Sequence, residues 1–147
     1  MQASPSSHIL VTVQLVGIFL SVYSTDQAHR GSEWSLLICC FGFAMAMWTL
    51  FHNQIGNFGI YPELKSEAVL VTTGPYEIVR HPMYFSLIVM MVGVAIFNGG
   101  LTNYLGALMV AGAVSLKALK EEAILIVHFE GYREYQARTH MIIPRLI

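Results

Sequence analysis

Residues 80–100 read RHPMYFSLIVMMVGVAIFNGG, an Arg-His-Pro corner followed by an unbroken apolar run and a glycine turn. Proline has no N–H to donate and turns the preceding residue away from helical geometry, so a helix is expected to start at Pro82. Asn98-Gly99-Gly100 is a turn signal with room for little else, and apolar residues resume from Leu101 to Leu116. The two runs therefore read as a helical hairpin. Its return brings the KALKEE stretch, residues 117–122, to the level of the Arg-His-Pro corner.

Working outward, two more apolar stretches precede the hairpin, Ile9 to Tyr23 and Trp34 to Phe51. Each of the four is shorter than the ~20 residues that cross a bilayer core. Polar flanks such as Ser7, His8, His52 and Asn53 extend them into the headgroup layer. The expectation is one all-α, integral-membrane domain over residues 1–147, with spans at about 8–24, 34–52, 82–98 and 101–119 and a cytoplasmic C-terminal helix. Composition agrees: 55% of the 147 residues are hydrophobic and 12% charged, against roughly 25% charged in soluble domains. A soluble bundle would need polar faces at helical spacing, and LLICCFGFAMAMWTLF, residues 36–51, has none.

A net charge of -1 gives no basic surface for nucleic acid. Cys39 and Cys40 are adjacent in an apolar run, which suits neither a zinc site nor a disulfide framework, and they read as packing residues. No Lys or Arg precedes the first apolar run, so it reads as a retained segment rather than a secretory signal. Lys65 and Arg80 lie between spans two and three, and Lys117, Lys120, Arg133, Arg138 and Arg145 lie at or after the end of span four; Arg30 alone lies on the other side. The positive-inside rule then puts both termini and the 53–82 loop in the cytoplasm.

A helix start presents N–H groups and partial positive charge, here beside Arg80 and His81. Opposite it, Lys117 and Glu121 share a helical face and Glu122 follows. Such an arrangement suits a zwitterion, with its carboxylate toward His81 and its ammonium toward Glu121. The plain alternative is interfacial side chains that merely keep their tips in water.

LVTTGPYEIVRHPMY at 70–84, Glu121-Glu122, the Phe129, Tyr132 and Tyr135 spacing and the closing Ile143-Pro144 together resemble the isoprenylcysteine carboxyl methyltransferase and phospholipid methyltransferase family of membrane enzymes. The resemblance covers about residues 55–147. It implies an S-adenosylmethionine-dependent enzyme whose cofactor-binding part is about 60–147. By position, Ala68, Val69, Leu70, Val71 and Tyr76 would line the cofactor, with His81, Pro82, Met83, Tyr84 and Glu121 as its second wall. Lys117 stands where the carboxyl methyltransferases have an arginine that meets the substrate; lysine keeps the charge and loses the bidentate fork. Ser86 replaces a usual glycine, and FEGY is one residue short of the common pattern. The implied acceptor is a lipophilic molecule in the bilayer, an isoprenylcysteine-like carboxylate or thiol. A phospholipid amine, a nicotinamide-dependent membrane reductase and a non-catalytic membrane module are the alternatives.

The charge distribution carries its own test. Cysteines placed at positions 65 and 138 should react with an impermeant maleimide from the same side of sealed vesicles.

Overall fold

The computed structural model describes residues 4–23, 32–53 and 69–144. These form five α-helices and no strand: α1 (Pro5–Val22), α2 (Ser35–His52), α3 (Pro82–Asn98), α4 (Leu101–His128) and α5 (Tyr132–Arg138), with a 3-10 turn at Gly74–Glu77 before α3. The hairpin expected at 82–119 is present. Gly99 ends α3 at φ 72°, in the left-handed region that glycine enters without penalty. Asn103 Oδ1 then accepts the Gly100 N–H at 3.2 Å, holding the start of α4. At the other end of the bundle, Ser4 accepts the Ser7 N–H at 3.3 Å and Pro5 opens α1.

The helices pack in the order α2, α3, α4, α1, with α1 also touching α3. Burial is inverted relative to a water-soluble bundle. The buried residues of α1 are Ser7, Gly17 and Ser21, and those of α2 are Ser35, Gly42 and Thr49. Large side chains face outward, Phe19 and Leu37 each 61% exposed and Phe51 82%. Small residues let helix backbones approach closely where lipid supplies no hydrophobic drive between helices. At the α1–α4 crossing, a Cβ on Gly106 would lie 2.5 Å from the Ser21 nitrogen and 2.6 Å from the Gly17 oxygen. At α2–α3, a Cβ on Gly42 would lie 3.0 Å from the Ser86 carbonyl oxygen, and one on Gly93 would lie 2.6 Å from Cys39 Sγ. Cys39 is thus a packing residue, as expected. Ser86 keeps the closeness that its usual glycine would give.

Buried hydroxyls are satisfied within their own helices: Ser21 donates to the Gly17 carbonyl at 2.8 Å and Thr49 to the Met45 carbonyl at 2.8 Å. The end of α1 is capped from across the bundle. Asn103 Nδ2 lies 3.0 Å from each of the Leu20, Ser21 and Tyr23 carbonyls, and Asn98 donates to Ser21 at 2.9 Å. Terminal carbonyls that α1 cannot pair internally find donors in this way.

Two points bear on the expected helices. Among the described residues, two helices are long and apolar enough to cross a membrane, Pro5–Val22 and Ser35–His52, where four spans were expected. Pro82–Asn98 is a shorter apolar helix, and α4 continues its apolar part into the charged residues Lys117 to Glu122. The second point concerns the chain beyond the fourth span's limit near 119, expected either to continue as a helix or to lie against the headgroups: α4 continues, to His128. Glu121 and Glu122 therefore sit inside a helix. Beyond them, Val127 is 87% exposed and Tyr132 1%.

Gly106→Ala should lower stability by about 1–3 kcal/mol, because the contacting atoms are backbone and cannot swing aside. Gly112→Ala is the control: a Cβ there meets nothing within 4 Å, so it should gain up to ~1 kcal/mol from helix propensity. Thermal unfolding of both variants in the same detergent measures the contrast.

Candidate active site

Pro82 opens α3, and His81 before it is the N-cap at φ -122°, ψ 64°. The corner is not an open donor site. The chain returns after α5 and runs alongside it: Arg80 N–H donates to the His140 carbonyl at 2.8 Å, His81 N–H to Met141 at 3.0 Å and His140 N–H to Ile78 at 3.3 Å. Ile142 follows, fully buried against Ala118 with Tyr84, Phe85 and Ile88 around them. Residues 139–142 thus form a strap across the start of α3, using backbone donors that the sequence left available to an anion.

Beneath the strap, Glu122 is the hub. Arg80 grips it with Nε at 2.5 Å from Oε1 and Nη2 at 3.2 Å from Oε2. Gln136 Nε2 donates to Oε2 and the Tyr132 hydroxyl to Oε1, the latter at 3.3 Å. The remaining Arg80 nitrogen, Nη1, donates to the Thr139 carbonyl at 2.5 Å. Bidentate arginine–carboxylate pairing of this kind is both directional and strong. Burial pushes the Glu122 carboxyl up, but His81, Arg80 and Gln136 together outweigh it and hold it down to about 2. Arg80 is consequently committed to Glu122 rather than turned toward a ligand.

His81 lies between the two glutamates, Nδ1 at 3.3 Å from Glu121 Oε2 and Nε2 at 3.3 Å from Glu122 Oε1. Nε2 is buried and lacks the alignment of a hydrogen bond. Burial pushes the imidazole down, yet the Glu121 and Glu122 carboxylates on either side prevail and leave it raised. Glu121 faces the other way from its neighbour. It accepts from the Tyr84 hydroxyl, and its side chain is 22% exposed against 9% for Glu122. The Tyr84 ring stacks on His81 with centroids 5.5 Å apart and receives the Lys117 ammonium 5.3 Å from its centre. Lys117 is 3% exposed and donates to Gln14 Oε1 of α1 at 3.1 Å.

The residues expected to line a cofactor divide accordingly. His81, Pro82, Met83, Tyr84 and Glu121 are gathered where α3 and α4 meet, with Lys117 beside Tyr84. Tyr76 lies in the 3-10 turn, its hydroxyl accepting from Asn53 Nδ2 at 2.8 Å and its carbonyl from Tyr135 at 2.7 Å. Burial, then the Glu121 charge, push its hydroxyl up to about 12, which ties the turn electrostatically to α4. Val69 is 51% exposed, while Leu70 and Val71 are half-buried before that turn. Ala68 falls outside the described residues. A cleft of about 440 Å³ lined by Thr72, Thr73, Glu77, Arg138 and Thr139 opens beside the strap.

Gln136, Thr139 and Gln14 join the cluster without having been expected there, and Arg80 and Glu122, noted beside the helix start and beside Glu121, pair with each other. Arg80 and Glu122 carried a signal, opposite charges at two levels that the hairpin brings together. Gln14 carried a weaker one, a primary amide inside an apolar run. Gln136 had none, because its place depends on how α5 folds back.

The family profile of phospholipid methyltransferase matches residues 32–131. A curated relative, the nickel-cobalt-cadmium resistance protein NccN of Alcaligenes xylosoxydans xylosoxydans, is 33% identical over 89 residues, which is 59% of this chain and 41% of that protein. The chain thus spans about two fifths of the length of the relative it matches. No solved structure matches.

Glu122→Gln should retain shape and lose the charge that Arg80 requires, destabilising by about 3–5 kcal/mol as one partner of a buried pair is removed. The pH dependence has two signs. The depressed Glu122 pKa contributes stability above the ordinary carboxylate value of about 4.3, lost as pH falls toward about 2. The raised His81 pKa contributes stability below about 6.5, lost as pH rises through its folded value. Unfolding followed against pH should show stability greatest between those limits, and Glu122→Gln should flatten the acid limb.

Proposed function

The chain belongs to the phospholipid methyltransferase family, and from that premise we propose that it transfers a methyl group from S-adenosylmethionine to a lipophilic acceptor at the cytoplasmic membrane face. The observation that carries the reading is the joining of Glu121, His81 and Tyr84 at the α3–α4 seam with Lys117 one step farther in. In this reading the chain is a multi-pass membrane protein with both termini cytoplasmic. The outward-facing Phe19, Leu37 and Phe51, with serines and glycines inside, support a lipid surround.

The residues present fit the cofactor's cationic end. Among the described residues, Glu121 Oε1 accepts from Tyr84 and Oε2 faces His81, and a carboxylate has lone pairs for more. The part-exposed Glu121 is therefore the partner for an ammonium or sulfonium. Both His81 nitrogens already face carboxylates, so His81 serves to orient Glu121 rather than to receive the cofactor's own carboxylate. Val69, Leu70, Val71, Tyr76 and the α3 start, Pro82 and Met83, complete the walls. S-adenosylmethionine supplies a sulfonium methyl, whose transfer to a carboxylate or thiolate forms one bond to carbon as the C–S bond breaks and leaves neutral products. A dry site favours such charge annihilation once both partners are held in line. Glu121 and Tyr84 do the holding on one side, and Lys117 steers an anionic nucleophile on the other.

The second reading is N-methylation of a phospholipid amine, which the description of the matching family favours. Here positive charge moves from sulfur to nitrogen, and a nearby Lys117 opposes it. Membership in a methyltransferase family sets the nicotinamide-dependent reductase aside.

Glu121→Gln should weaken S-adenosylmethionine binding by about 1.5–3 kcal/mol, the loss of a charged hydrogen bond, read by calorimetry in detergent. Lys117→Met should raise the acceptor KM or lower kcat with cofactor affinity kept, and Lys117→Arg should retain activity. An amine acceptor gives the reverse, with Lys117→Met unimpaired.

A further inference from the structure

Lysines near the end of a membrane helix ordinarily extend toward the water they are nearest. Lys117 does the opposite. Helices α1 and α4 are antiparallel, and their register follows from the contacts between them: Ser21 meets Gly106, Gly17 meets Val110, and Ser6 accepts from Lys120 at 2.7 Å. In that register Gln14 is level with about Ala113, one turn, or about 6 Å, deeper than Lys117. Yet Lys117 Nζ lies 3.1 Å from Gln14 Oε1 and is 3% exposed. A helical side chain leans toward its helix N-terminus, which for α4 is the far side of the bundle, so the backbone favours this direction. The amide oxygen of Gln14 and the face of Tyr84 give the ammonium partners when it goes there.

We infer that Gln14 is a positioning residue for the methyl acceptor, holding the Lys117 ammonium inward as the cation that receives the anionic head of a lipid-dissolved substrate. The inference rests on the acceptor reading above and adds to it a part of the site supplied by α1. Residue 14 lies outside the 32–131 stretch that the family profile matches, so that match assigns it no role. A cation at this depth discriminates by location as well as by charge. A water-soluble carboxylate meets Glu121 and the cytoplasmic rim first, whereas a prenyl or acyl carboxylate arrives from the hydrocarbon side, where Lys117 waits. Glutamine suits the role because it accepts from the ammonium without neutralising it.

Two substitutions separate position from charge. Gln14→Met keeps length and apolar character and removes the oxygen; Gln14→Glu keeps the anchor and cancels the charge. Purified protein in lipid nanodiscs is treated with a water-soluble amine-acylating reagent, and modification of Lys117 relative to Lys120 is read by mass spectrometry. The same samples are assayed with S-farnesylated N-acetylcysteine as the acceptor probe, and S-adenosylmethionine affinity is measured by calorimetry. For Gln14→Met we expect Lys117 acylation to rise severalfold as the ammonium swings to the interface. The acceptor KM should rise on the order of tenfold, with cofactor affinity unchanged. For Gln14→Glu acylation should stay low while the acceptor KM rises. Wild-type acylation in Gln14→Met overturns the anchoring, and increased acylation with an unchanged KM overturns the role in acceptor binding. If the wild-type chain binds no S-adenosylmethionine, the methyltransferase reading fails, and the acylation result still decides whether Gln14 holds Lys117 inward.

Discussion

Glu122 receives Arg80 from the corner before α3, Gln136 and Tyr132 from α5, and stands against His81 at the start of α3. Two other pieces of chain, the 80–81 corner and α5, are thereby referred to one buried carboxylate of α4. A charge in that position is tolerable only because every partner is present: an unpaired carboxylate there would carry a desolvation penalty of several kcal/mol. The strap follows from the same constraint, since Arg80 reaches on from Glu122 to the Thr139 carbonyl and so fixes where the chain after α5 must pass. With the strap in place, the backbone donors of Arg80 and His81 are used, and Ile142 closes the apolar space below.

Two adjacent glutamates consequently have different tasks. Residues next to each other on a helix point about 100° apart, so Glu122 turns into the network and Glu121 toward Tyr84 and the open side. His81 lies 3.3 Å from a carboxylate oxygen of each.

The bundle closes around small residues. Glycines and serines at the α1–α4 and α2–α3 crossings bring backbones together, and large apolar side chains are left on the outside. Buried polar side chains described in the bundle find partners across or along it: Asn103 caps α1, Ser86 bonds back to Pro82, and Lys117 meets Gln14. The polar line from Gln14 through Lys117, Tyr84, Glu121 and His81 to Glu122 runs from the bundle interior to the strap.

Much of this was legible in the residues. Pro82 marks where α3 begins, and Gly99 marks where it ends, because a ring without N–H and a residue without Cβ each admit few backbone conformations. The helical class and the meeting of the Arg-His-Pro corner with Glu121-Glu122 follow from those two punctuation points and from apolar run length. The partners inside the meeting place were not legible. Arg80 next to a helix start reads as an anion receptor until α5 brings Gln136 and Thr139 against it and Glu122 takes its charge. Glu121 and Glu122 read as a helix end, since charge normally closes an apolar helix, and α4 runs on to His128 instead. Local sequence determines where backbone geometry is restricted. Which of several compatible partners satisfies a buried charge depends on residues dozens of positions away, and that choice belongs to the tertiary structure.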